Sequence, residues 1–71
     1  MPDSLVITVK TEKRNIAYAS FIIEAYDGIG VVRTADPESG LIEVLVAPDM
    51  RADFMELAGA LASEMPFTIQ D

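Results

Sequence analysis

Glu24-Ala25-Tyr26-Asp27-Gly28-Ile29-Gly30-Val31-Val32-Arg33-Thr34 is the stretch on which the fold turns. An apolar helix enters it, Asp27-Gly28 stops that helix, and Gly30 to Thr34 leaves as a strand. Gly28 suits the left-handed position that follows a last helical turn. The entering helix spans roughly Lys13 to Tyr26. Ile16, Ala19, Ser20, Ile23 and Tyr26 form one stripe at helical spacing, and Tyr18, Phe21, Ile22 and Ala25 form a second. Only Glu24 is charged beyond the first turn. A surface helix should present one apolar and one polar face. This one is apolar nearly all round, so its second face must meet something.

Downstream, Gly30–Thr34 and Leu41–Ala47 read as a hairpin joined by Asp36-Pro37-Glu38-Ser39-Gly40, a loop with ordinary turn chemistry. Symmetric pairing sets Val32 opposite Val44, Thr34 opposite Ile42 and Arg33 opposite Glu43. That register is self-consistent, since apolar meets apolar and Arg meets Glu. Pro48-Asp49 then opens a second helix, with Asp49 as its N-cap. Phe54, Leu57, Ala58, Leu61 and Met65 make its core stripe. Asp53, Glu56, Ala60, Ser63 and Glu64 make its wet face. Pro66 ends it, and Phe67–Gln70 is a short last strand.

Upstream, Leu5 to Lys10 alternates as a strand, and Thr11 or Asn15 can cap the first helix. The element order is β-α-β-β-α-β in one domain, residues 1–71, which is the split β-α-β or ferredoxin-like arrangement. This predicts an α+β fold: a four-stranded antiparallel sheet of order 4-1-3-2 with two helices on one face. The covered face takes Leu5, Ile7, Val9, Val32, Ile42, Val44, Val46, Phe67 and Ile69. The open face takes Val6, Thr8, Lys10, Val31, Arg33, Leu41, Glu43, Leu45, Thr68 and Gln70.

A chain of 71 residues buries only about 60% of the surface its unfolded form exposes. Disulfides, metals, very good packing or oligomerisation make up the deficit in small domains. There is no cysteine and no histidine, so disulfides and the usual zinc and iron ligand sets are excluded. Apolar residues make up 51% of the chain, more than one small core can hide. That points to self-association, although small alanines account for part of the excess.

Twelve acids against five cations give a net charge of −7. Nucleic acid and anionic membrane surfaces require clustered cations, so both are disfavoured as partners. No apolar run reaches the ~20 residues of a membrane span, and Met1-Pro2-Asp3-Ser4 does not open as a signal peptide. The expected setting is the cytoplasm.

Catalysis is not expected. General acid–base and covalent chemistry rely most often on His and Cys, and the carboxylates are scattered. No cofactor is implied. Lys10, Lys13 and Arg14, with Asn15, gather where the first strand meets the first helix. Cations there, together with free backbone N–H groups, make a candidate anion site. The competing explanation is pairing with Glu12 and solvent. Arg33 is accounted for by Glu43 across the hairpin. Tyr18 and Tyr26 are candidate pocket residues, with packing the commoner role for such aromatics.

The stronger signal is surplus apolar surface: Tyr18, Phe21 and Ile22 on the helix, and Val6, Val31, Leu41 and Leu45 on the open sheet. Either set is a candidate dimer surface. Lys10, Arg33 and Glu43 rim the sheet patch as they would rim an interface.

Glu24, Tyr26, Asp27, Gly28, Val31, Val32, Arg33, Thr34, Asp36 and Pro37 together resemble the core of a family of short uncharacterised bacterial proteins, a domain of unknown function. That resemblance implies a bacterial protein and brings no activity. The element order is similar to ACT-type regulatory domains, which bind amino acids at dimer interfaces near a glycine-bearing loop. The corresponding loop here, Lys10-Thr11-Glu12-Lys13-Arg14-Asn15, has no glycine. Three expectations follow: a homodimeric, non-catalytic interaction or regulatory module; an ACT-like sensor of an amino acid or other anion; or a subunit of a larger enzyme complex.

Overall fold

The computed structural model describes residues 4–26 and 29–70. The elements are β1 (Leu5–Lys10), α1 (Ile16–Ala25), β2 (Gly30–Asp36), β3 (Leu41–Val46), α2 (Arg51–Ala62) and β4 (Thr68–Ile69). Single 3-10 turns, Lys13–Asn15 and Pro48–Met50, lead into the two helices. The sheet runs β2-β3-β1-β4, with every neighbouring pair antiparallel. This is the expected 4-1-3-2 order read from the other edge, and the fold is the α+β, ferredoxin-like one.

Strand alternation sorts the side chains as expected. Ile7, Val9, Ile42, Val44, Val46 and Phe67 are buried, and Leu5, Val32 and Ile69 pack at the margins of the same cluster. From the helices come Ala19 and Ile23 of α1 and Phe54, Leu57, Ala58 and Leu61 of α2. One face of the sheet therefore carries the core and the other is open. Full burial of a side chain such as Phe54 or Ile23 contributes about 1.5–3 kcal/mol, so this one cluster dominates stability. The hairpin register is the predicted one: Val32 with Val44, Arg33 with Glu43, Thr34 with Ile42.

Several local expectations are corrected. Asp36 belongs to β2 and pairs with Leu41, with a register shift between Thr34 and Asp36, so the turn is Pro37–Gly40. Neither α-helix has a side-chain N-cap. Asp49 lies inside the 3-10 turn, and Met50 precedes α2. Thr11 is turned away from α1: its hydroxyl donates to the Pro66 carbonyl at 2.6 Å, tying the end of β1 to the entry of β4. The 3-10 turns take in Asn15 and Asp49, two of the three residues expected as caps. Tyr26, grouped by spacing with Ile16, Ala19 and Ile23, is 54% exposed. The helix ends at Ala25, and Tyr26 has extended backbone that takes its ring off the helical stripe. Ile29, just ahead of β2, is fully buried. The Asp27-Gly28 stop lies outside the described residues.

Two glycines are required by close approach. Gly40 has φ +75°, and a Cβ there would overlap the Thr11 carbonyl oxygen. A Cβ on Gly30 would overlap the Leu45 carbonyl oxygen of the adjacent strand. Gly59 is the opposite case, since a Cβ on this exposed stretch of α2 meets nothing within 4 Å. Gly59→Ala is expected to stabilise the fold by about 0.5–1 kcal/mol, through the entropy of the unfolded chain and helix propensity. Thermal denaturation checks this as a rise in Tm of a few degrees.

Both sheet edges are short or covered. The Glu24 carboxylate of α1 accepts the outward Val32 N–H of edge strand β2 at 2.9 Å. Strand β4 has two residues. Such covers suppress unwanted pairing along an edge.

Candidate functional site

Three regions hold the residues picked out from the sequence. The first is an open groove of about 700 Å3 where the end of β1, the loop into α1 and the β2–β3 turn converge. It gathers Lys10, Lys13 and Arg14 beside Thr11, with Glu12, Glu38 and Ser39 on its walls. The main-chain bond from Thr11 N to Gly40 O, 2.8 Å, holds the loop against the hairpin turn. That contact, 29 residues apart in sequence, is why the groove exists.

The cations of the groove already have partners. Lys10 Nζ donates to the Ser39 carbonyl at 2.7 Å. Lys13 Nζ pairs with Glu38 at 2.8 Å, and Arg14 Nε with Glu12 at 3.0 Å. Asn15 Nδ2 leans on the same Glu12 oxygen at 3.4 Å. Arg14 thus follows the pairing with Glu12 that competed with an anion site, while Lys13 reaches across to the hairpin. These pairs are solvent-exposed, and exposed pairs contribute only about 0–1 kcal/mol, so an arriving anion could exchange for either carboxylate. On the turn, a hydrogen bond from the Ser39 side chain lowers the Asp36 pKa below the ordinary carboxylate value, with a smaller contribution from Lys10.

The second region is the open sheet face. The register sets Val31, Leu45 and Val6 side by side across β2, β3 and β1. Val31 is 61% exposed and Val6 55%, with Leu45 half-buried between them. The next row carries Arg33, Glu43 and Thr8, with Arg33 Nη2 on the Glu43 carboxylate at 2.7 Å. The row beyond carries Asp36, Leu41 and Lys10.

The third region is the outer face of α1. Phe21 is the most exposed large apolar side chain described, at 70%, with Tyr18 one turn before it. Ile22, grouped with them by spacing, instead packs against the core. Tyr18 Oη donates to Glu64 at 3.2 Å, bridging α1 to the turn just after α2. Tyr26 lines a smaller groove of about 520 Å3 with Ala25, Met50 and Asp53.

The Glu64 charge and hydrogen bond raise the Tyr18 pKa above its ordinary 10.0. A raised pKa means that the bond contributes through neutral pH and is lost as pH rises through the phenol's folded value. Glu64→Gln is therefore expected to lower the Tyr18 pKa towards 10.0. Phenolate absorbance during an alkaline titration measures it directly.

The family model described as Domain of unknown function (DUF4911) matches residues 9–65. The chain belongs to that family. The match includes both helices, the whole hairpin and the groove, and every residue that carried the resemblance noted from sequence. For this DUF4911 domain no curated protein and no solved structure matches. What the domain does must therefore be argued from its own surfaces. Among the described residues, no helix is long and apolar enough to cross a membrane. Every buried side-chain nitrogen or oxygen there has a hydrogen-bond partner.

Sequence reasoning reached the cation cluster and both apolar faces. It missed the structural use of Thr11 and the burial of Ile29. Ile29 carried a usable signal: a large aliphatic residue just ahead of a strand, next in sequence to the polar and small residues Asp27 and Gly28.

Proposed function

We propose that this DUF4911 domain is a small non-catalytic interaction module that works as a homodimer, in a bacterial, cytoplasmic setting. One observation carries the reading. A domain too small for a large interior leaves Val6, Val31 and Phe21 more than half exposed, although solvent-facing positions on strands and helices tolerate polar residues. Exposed apolar side chains grouped in this way, Val6 and Val31 flanking Leu45 on the sheet and Phe21 one turn from Tyr18 on α1, support an interaction surface. Sedimentation velocity over a concentration series tests it. A weight-average mass rising from 7.7 kDa towards twice that value at micromolar concentration supports the reading. A monomer throughout removes it.

A second reading is supported by the groove. Lys10, Lys13 and Arg14 are three of the chain's five cations, gathered in a molecule of net charge −7. An ACT-like sensor of an amino acid or another small anion would use them, with Glu12 or Glu38 displaced or receiving an ammonium group. Thermal-shift measurements with inorganic phosphate, carboxylates and amino acids test it. Stabilisation lost in a Lys13→Ala/Arg14→Ala variant supports this reading, and none from any compound rejects it.

A further inference from the structure

The two apolar faces differ in charge, and the difference selects between them. On the helical side acids outnumber the cations Arg14, one turn before Tyr18, and Arg51, at the start of α2. Glu24 lies on α1, Glu64 is bound to Tyr18, and Asp53 borders the Tyr26 groove. Turning that face on a second copy would set an excess of acids against itself in a chain of net charge −7. The open sheet face carries Lys10 and Arg33 against Asp36 and Glu43, two of each sign, interleaved by the register. It is a locally neutral face on an acidic molecule, with an apolar row next to the ion pair. A charge-balanced face can meet its own copy without net repulsion, whereas like charges brought together disfavour association.

We infer that the open sheet face is the homodimer seam: the Val31–Leu45–Val6 row of one protomer packs on the same face of its partner, and the Arg33 and Glu43 row lies at its border. This rests on the homodimer reading above. The isologous geometry of a two-fold pair needs one self-complementary patch, and this face is the one that supplies it. The three long strands, about 4.8 Å apart and about 20 Å long, give a footprint of roughly 15 × 20 Å. That lies below the size of specific stable interfaces and in the weak, transient class, so the dimer is weak, reversible and concentration-dependent. The helical face keeps Phe21 in solvent.

The test compares wild type with Val31→Glu, Val6→Glu and Phe21→Glu by sedimentation equilibrium. Circular dichroism and Tm establish that each variant is folded. All three positions are more than half exposed, so the fold should survive each change. Val31→Glu and Val6→Glu are each expected to weaken the dimer by at least about 30-fold, the size of a central interface residue. Phe21→Glu is expected to change it by less than about twofold, as for a residue outside an interface. If Phe21→Glu dissociates the dimer while Val31→Glu and Val6→Glu leave it intact, the sheet assignment is overturned and the homodimer reading stands. A monomeric wild type at all concentrations overturns both.

Discussion

Gly40→Ala is expected to destabilise the domain by about 2–4 kcal/mol. Two effects add. The φ of +75° at Gly40 is a left-handed conformation that costs a residue with a Cβ about 1–2 kcal/mol. The new methyl would also overlap the Thr11 carbonyl oxygen. That oxygen belongs to main chain, held in place by the bond from Thr11 N to Gly40 O and by the Thr11 hydroxyl on Pro66. It cannot swing aside as a flexible side chain would. A 71-residue domain has roughly 4–10 kcal/mol of stability in total, so the loss is a large fraction. Thermal denaturation should show Tm falling by about 10–25 °C. Gly59→Ala, the same chemical change on α2, should shift Tm the other way. A Gly40→Ala variant within a degree or two of wild type would mean that the Thr11 loop is not seated on the hairpin turn. The groove that gathers the cations would then not exist as described.

Phe54→Ala should cost about 3–5 kcal/mol. Phe54 is fully buried and is the largest side chain among the wholly enclosed residues. It lies on α2, inside the cluster where both helices meet the sheet. Truncation loses the transfer energy of the ring and leaves a cavity that the close-packed sheet cannot fill. Chemical denaturation should show a midpoint shifted far towards zero denaturant, or a chain unfolded without it. A loss under about 1 kcal/mol, as for surface substitutions, would contradict the single-core account. If self-association contributes to stability, the wild-type midpoint should also rise with protein concentration.

The frame of this fold was legible because neighbouring signals agreed. In the hairpin, one symmetric register satisfied Val32 with Val44, Thr34 with Ile42 and Arg33 with Glu43 at once. A slip of one residue would have reversed every face. In α2 the stripe from Phe54 to Leu61 left little choice about which side turned inward. The readings that failed were decided by contacts distant in sequence. Thr11 looks like a helix cap locally, yet its hydroxyl bonds Pro66, 55 residues away. Lys13 looks like a partner for Glu12, yet it reaches Glu38 across the turn. Tyr26 continued the apolar spacing of α1, but spacing carries no information once the helix has ended. The register shift between Thr34 and Asp36 left no mark in residue type. For the candidate surfaces, composition exposed the apolar excess. The charge balance of the open sheet face became visible only when the strands were placed side by side.

The most direct test of the central claim, that two copies meet through the open sheet, is an isotope-filtered NOE experiment on a mixture of labelled and unlabelled protein. Contacts between protomers are predicted at the methyl groups of Val6, Val31 and Leu45. Contacts arising instead from the Phe21 ring, or none at any concentration, would contradict it.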